Sequence, residues 1–331
     1  MIIQRGSLFK LNGVIVVTTK RPTEGRLRIK FEAGINLEIP DLTSYNLMDA
    51  REKLQLEWAA GLYETDKGPV KQQELLNQYY SKLADVERGT NTYWLSQPLQ
   101  TGVGQRYNMR LEWGAEEFQV GASVAYNNVS GAMKGSERNN FSGNITLQYD
   151  HKNLTFRNQT KITINNSDQG PHASIKLNPD DKTSYGGFSS YAKMNPYWRI
   201  YDDEGNYIPR YKKILSDEYI SNPLYDASKN IINKSAYKNI TNNLQIEWRI
   251  IDGLTLRGTL GISTQSNTSD LFIPPSHSAF LSDTYAKPEN VFRKGKYTYG
   301  TGESNNIMGN ITLNYSKTFN EKHNLTAGID F

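Results

Sequence analysis

The chain has 331 residues, with 38 Lys and Arg against 34 Asp and Glu and a formal net charge of +4. Its basic residues are scattered, so a pI of 8.9 describes a mixed, solvated surface and no nucleic-acid partner. The absence of cysteine excludes thiolate zinc sites, disulfides and cysteine nucleophiles; His151, His172, His277 and His323 lie too far apart in sequence to suggest a histidine-based site, so no catalytic residue, metal or cofactor is assigned.

No run of about 18 apolar residues occurs, which excludes a transmembrane helix but not a barrel. A mean hydropathy of −0.65 fits strands that alternate lipid-facing and lumen-facing residues. Met1 to Arg5 do not open a signal peptide, so an exported protein is expected to have its true N-terminus elsewhere. With 21 Tyr, 26 Gly and many Asn and Thr, the composition favours strands and turns.

In chain order, Val14 to Thr19 form a β-branched run expected to be a buried strand. Residues 26–37 alternate strictly, with Leu27, Ile29, Phe31, Ala33, Ile35 and Leu37 on one face, long enough to cross a bilayer. Two short helices are expected next, the first capped by Ser44 with Leu47, Ala50, Leu54, Trp58 and Leu62 at helical spacing, the second carrying Leu75, Leu76, Tyr79, Leu83 and Val86. Alternation resumes in strands ending or starting at Trp113, Phe118, Tyr149, Leu154, Trp248, Leu254, Tyr315 and Leu325. The connections alternate short and long, with long ones expected over 38–104, 165–236 and 265–305; short turns on one side and long loops on the other are the pattern of outer-membrane barrels. Trp113, Tyr149, Trp248 and Tyr315 each close a strand just before a short turn, on the apolar face, and are expected to form an aromatic girdle at the membrane interface. A soluble β-sandwich also has alternating strands, but its loops would not sort by parity.

Asn12 to Arg21 (NGVIVVTTKR), Pro40 to Tyr63, Asn195 to Tyr207 (NPYWRIYDDEGNY) and Asn222 to Asn230 (NPLYDASKN) resemble the SusC/RagA family of TonB-dependent outer-membrane transporters. The resemblance implies that residues 1–20 are the end of a plug domain and 21–331 the N-terminal part of a transmembrane antiparallel β-barrel. About nine strands of a roughly 22-stranded barrel are then present, with the helices and long connections extracellular. It also implies import of glycans or oligopeptides, with a SusD-like lipoprotein and the TonB complex as partners and no enzyme activity. The alternatives are a structural or adhesive barrel, and a soluble all-β carbohydrate-binding or hydrolytic domain. An open sheet of this kind is expected to aggregate when made alone, because its edges are unpaired.

Asp202 to Asn206 resemble half a calcium loop but lack the closing Glu, so a solvated turn is expected there. The aromatic cluster of the longest connection, Tyr185, Tyr191, Tyr197, Trp198 and Tyr201 with Tyr207 beside it, offers stacking faces to a ligand, while loop packing accounts for it equally well.

Overall fold

The computed structural model describes residues 25–216, 218–320 and 323–331; the strand expected at 14–19 and the plug-like residues 1–20 lie outside them. The alternating stretch after Gly25 becomes β1 (Gly25–Glu38). It is followed by the helices α1 (Ala50–Ala59) and α2 (Pro69–Glu87), then by β2 (Gly102–Gly114), β3 (Phe118–Ser130), β4 (Glu137–His151) and β5 (Leu154–Asp168). The longest connection holds α3 (Phe188–Ala192), the small hairpin β6 (Arg210–Lys212) and β7 (Tyr219–Ser221), and α4 (Pro223–Ala227). Then come β8 (Ile232–Ile251), β9 (Leu254–Ile273), α5 (Asp283–Ala286), β10 (Lys296–Phe319) and β11 (His323–Asp330). All strands except β6 and β7 form one antiparallel nine-stranded sheet in the order β1-β2-β3-β4-β5-β8-β9-β10-β11.

Register turns local alternation into a continuous surface. Phe31 pairs with Met109, Met109 with Val124, Val124 with Gly143, Gly143 with Ile162 and Ile162 with Ile240, so the apolar positions of successive strands share one face. A one-residue slip in any ladder would move a whole strand's apolar set to the other side. Burial runs opposite to that of a soluble sheet. On β4, Ile145 and Leu147 of the apolar face are 52% and 39% exposed, whereas Thr146 and Gln148 of the polar face are each 5% exposed. The enclosed side is polar and the open side apolar, which suits lipid outside and water within. Trp113, Tyr149 and Trp248 stand on the apolar face at 44%, 40% and 41% exposure, with Tyr315 in the same parity opposite Leu254.

The short turns are tight. β4 and β5 are joined through Lys152 at φ 52°, and β8 and β9 through Gly253 at φ 85°, where an added Cβ would stand 2.9 Å from the Ser316 carbonyl oxygen. On the opposite side the connections span 39–101, 131–136, 169–231 and 274–295. The third long connection is thus shorter than the 265–305 read from sequence. Above the apolar belt, residues 263–270 of β9 and 300–306 of β10 are polar or glycine on both faces, so the ladder continues to Ile273 and Lys296 across a stretch without the apolar contrast that marks a strand.

Ser44 does not cap the first helix. Asp49 does, accepting from the Glu52 N–H at 2.8 Å while Glu52 accepts from the Asp49 N–H at 3.0 Å. That reciprocal pair starts α1 at Ala50 and leaves Leu47 outside it, 53% exposed. The second helix follows its periodicity and ends before Gly89, whose φ is 98°.

One polar interruption lies within the apolar belt. Asn158 and Asn242 exchange side-chain amide bonds at 3.1 Å each way, and Asn242 also donates to Thr160 Oγ1 at 2.8 Å. Their neighbours in the ladders, Leu147, Leu244, Ile145 and Ile262, are apolar. Replacing Asn158 and Asn242 by Leu together with Thr160 by Val is expected to leave barrel stability unchanged or raised, because all members of the network go together. Asn242→Leu alone is expected to cost about 1–3 kcal/mol, because it leaves the Asn158 amide without its acceptor and Thr160 with only its 3.4 Å bond to Asn158 in an apolar surround. Urea unfolding from lipid vesicles reads both values.

Candidate functional site

The long connections pack together as a cap over one end of the sheet. Its first core joins Ala50, Leu54, Tyr63, Leu75 and Val86 of the α1–α2 region with Tyr197 of the longest connection. A second gathers Trp94, Tyr191, Met194 and Tyr211, and a third Ile175, Ile273 and Phe280. Backbone and side-chain bonds tie these pieces across large sequence distances. Trp94 Nε1 donates to the Asn195 carbonyl at 2.9 Å, Thr92 Oγ1 to the Trp198 carbonyl at 3.0 Å, and Lys212 pairs with Glu74 at 3.0 Å. Loops of this length order only by burying area of their own, and here they do so.

Glu57, 3% exposed, is the polar centre of the first core. Tyr63 and Tyr197 donate their hydroxyls to its two carboxylate oxygens at 2.9 and 3.0 Å, and Lys53 stands 3.6 Å away. Lys82 donates to the Tyr63 oxygen at 3.1 Å and lies over the Tyr63 and Tyr197 rings, 5.0 and 4.9 Å from their centroids. Burial pulls its ammonium down to about 8, with the Glu57 charge acting against that fall. Buried without these partners, the carboxylate would be strongly unfavourable.

The aromatic residues singled out in the sequence divide into two groups. Tyr191 and Tyr197 are each 1% exposed, so their faces are occupied by the cap itself. Trp198 stacks on Tyr211 at 4.6 Å and 4°, and Tyr185 meets the His277 ring edge-on at 5.3 Å. Tyr201 is 45% exposed and pairs with Tyr207 at 4.7 Å, offering the most open ring of the set. The acidic turn nearby is used internally, since Asp202 Oδ1 accepts from the backbone of Glu204 and Asn206 at 3.0 and 2.8 Å.

A cavity of about 390 Å³ opens between the first and longest connections. Trp94, Tyr191 and Met194 are its buried apolar floor, Leu47 and Met48 its exposed apolar rim, and Lys53 and Lys193 bring positive charge to its lining. It falls in the size range of small-ligand sites, and with Asp49 beside the two lysines its lining suits an apolar group carrying a polar end. Of the aromatic residues singled out, Tyr191 lines it. Trp94 escaped the sequence reading because it stands in a short irregular turn with no periodic partner. On the apolar-belt face, beyond the belt, Glu137, Asp168, Lys234, Asp270 and Tyr299 form one ladder row lining a second, polar recess of about 460 Å³.

The longest connection and the one over 274–295 are clasped by Asp226, 2% exposed, and His277, 0% exposed. Asp226 accepts from the Ser278 N–H at 2.9 Å and from its hydroxyl at 2.7 Å, and His277 Nε2 lies 3.6 Å from Asp226 Oδ1. The residue types are those of a hydrolase triad, but the serine donates to the aspartate and not to the imidazole, so no nucleophile is activated. The clasp is structural. Burial pushes Asp226 up to about 6, against the Ser278 bonds and the Lys229 charge, and pulls His277 down to about 4.

These shifts set opposing pH responses. The stability due to Asp226, whose folded pKa is raised, is complete below about pH 4 and lost as pH climbs through about 6. That due to His277, whose folded pKa is depressed, is complete above about pH 6.5 and lost as pH falls through about 4; each is worth about 3 kcal/mol. On acidification from pH 6.5 to 4, Asp226→Asn is expected to loosen the clasp and His277→Gln to tighten it, with the parent changing less than either. Hydrogen exchange over 222–231 and 274–282 reads the difference.

No protein-family model matches the chain. It is 24% identical over 234 residues to the TonB-dependent receptor P39 of Formosa agariphila, a match covering 70% of this chain and 20% of that receptor. It superposes on the RagAB peptide importer in its closed-closed state with a TM-score of 0.70 at 16% identity, over 94% of this chain and 35% of that one. On the open-open state the TM-score is 0.66 at 19% identity, with the same coverage. The chain therefore spans a fifth to about a third of the length of these proteins. The shared fold is that of an outer-membrane β-barrel.

Proposed function

We propose that the chain, a SusC/RagA-like sector of a TonB-dependent outer-membrane transporter barrel, takes part in energy-coupled import of oligopeptides across that membrane. The observation that carries this reading is the inverted burial of the nine-stranded sheet, open and apolar outside and enclosed and polar inside, beneath a cap of interlocked long connections. An importer needs such a wall and a ligand-gathering rim, whereas a soluble binding or hydrolytic domain would bury the apolar face. Peptide is preferred to glycan as cargo because the RagAB structures are those of a peptide importer.

In this reading the cap faces the outside of the cell, where a SusD-like lipoprotein covers it, and TonB acts from the periplasm. Trp113, Tyr149, Trp248 and Tyr315 form the girdle at the periplasmic interface. Of the aromatic set, Tyr201 and Trp198 offer side-chain surface to a ligand, Tyr191 contributes through the cavity wall, Tyr197 supports Trp198, and Tyr185 packs on His277 in the third core. The test is uptake of fluorescent oligopeptides by cells making the full-length protein, with and without a protonophore. Saturable, protonophore-sensitive uptake that is weakened by a Tyr191→Ala, Tyr201→Ala double variant is the expected result. Uptake equal to that of cells lacking the protein would overturn the reading.

A further inference from the structure

The charges of the sheet's inner face are unevenly placed. On β1 and β2 it carries Arg28, Lys30, Glu32, Arg106, Arg110 and Glu112, with Lys30 and Glu32 paired at 2.5 Å. Toward the short turns it carries Asp150, Arg157, Glu247, Arg249 and Arg257, where Arg257 and Glu247 meet at 2.8 Å. Between these lies a different surface. The inward positions from Asn140 to Thr146 on β4, Gln159 to Asn165 on β5, Tyr237 to Asn243 on β8, Gly261 to Asn267 on β9 and Gly302 to Met308 on β10 form four adjoining ladder rows. Lys161 is the one charged residue in them. β3 continues the surface with the small or neutral Gly121, Ser123, Ala125 and Asn127.

The side chains of this sector form a shared lattice. Gln159 donates to Asn144 at 3.0 Å, Asn239 to Ser263 at 3.2 Å, Thr241 to Asn239 at 2.9 Å, and Gln265 to Asn267 at 2.8 Å. Amides and hydroxyls bonded in this way keep spare donors and acceptors toward the lumen. A surface of this kind binds a hydrogen-bonding chain at many weak points, and passage through a pore requires binding that is multi-site and easily released. Fixed charges would hold ionised groups more strongly in the partly desolvated wall.

We propose that peptides pass along this sector of the inner wall, from β3 to β10, in which Lys161 is the one charge, engaging it through their main-chain amides and with little regard to side-chain identity. A peptide offers alternating N–H and C=O groups, which side-chain amides match in kind. A sugar track would call for flat aromatic faces, and among the inward positions of the four rows Tyr237 alone is aromatic. The inference rests on the transporter reading above and adds the route and the basis of its selectivity.

In the full-length protein, with any cysteine outside this cysteine-free chain replaced by serine, single cysteines are placed at Asn243 or Ser263 within the sector and at Asn108 on β2, and each is capped with a bulky, uncharged maleimide. Capping at Asn243 or Ser263 is expected to reduce uptake of an uncharged hexapeptide about tenfold, with capping at Asn108 changing it less than about twofold. As an independent arm, the isosteric pair Asn239→Asp and Asn243→Asp is expected to reduce uptake of an acidic hexapeptide about tenfold while leaving the uncharged one within about twofold. Equal effects at Asn108 and in the sector, or none in the sector with labelling verified, would overturn the route. Absence of energy-dependent uptake in the uncapped parent would instead overturn the transporter reading, and the inference with it.

Discussion

Replacing Glu57 by Ala is expected to destabilise the cap by about 3–5 kcal/mol, the largest effect of any single change within it. The substitution removes the acceptor of both the Tyr63 and Tyr197 hydroxyls, at 2.9 and 3.0 Å, and leaves them buried without partners. It also removes the charge that keeps the Lys82 ammonium, already pulled down to about 8 by burial, from falling further. Because Tyr197 belongs to the longest connection and Glu57 to α1, the loss separates two parts of the chain that meet only by folding. Trypsin cleavage at Lys67 and Lys71 is expected to accelerate strongly in Glu57→Ala. Glu57→Gln, which keeps an acceptor and the shape, is expected to show a smaller effect. The β-sheet itself should persist, since none of its ladders contains these residues.

The second large effect concerns the belt. Ile145→Arg places a guanidinium on the open apolar face near the middle of β4, where Ile145 pairs with Ala122 and Thr160. A charge on the lipid side near the bilayer midplane costs about 2–4 kcal/mol. One residue away, Asn144→Arg faces the polar interior and is expected to cost less than about 1 kcal/mol, although it is the same substitution on the same strand. Denaturant midpoints from vesicles compare the two directly. Equal penalties would mean that the two faces are not in different solvents.

The wall of the barrel was legible in the sequence for a physical reason. Where one face meets lipid and the other water, each second residue must be apolar, and Leu27 to Leu37 or Phe141 to Tyr149 carry that demand openly. The parity of the connections was equally legible, because short reversals such as 152–153 and 252–253 sit between strong alternations. The upper parts of β8, β9 and β10 were not, since a strand that rises out of the membrane has water on both faces and loses its contrast. The cap was legible in content but not in arrangement. Asp49 and Ser44 are both reasonable caps by type, and the Glu three residues after Asp49 decides between them. For Tyr191 and Tyr197, ring chemistry alone does not separate a stacking face from a core residue. Tyr197 is buried in the α1–α2 core with its hydroxyl on Glu57, 140 residues away in the chain, and no local pattern records that contact.

The central claim, that the alternation of these strands is an alternation between lipid and lumen, is tested most directly by a cysteine scan of residues 141–149 on β4, a stretch of a cysteine-free chain. In the full-length protein in lipid vesicles, with any cysteine outside this chain replaced by serine, each introduced cysteine carries a fluorophore challenged with a lipid-soluble quencher and with a water-soluble one. Labels at 141, 143, 145, 147 and 149 are expected to respond to the lipid-soluble quencher and those at 142, 144, 146 and 148 to the aqueous one. A response without period two, or with the two sets exchanged, would contradict the account.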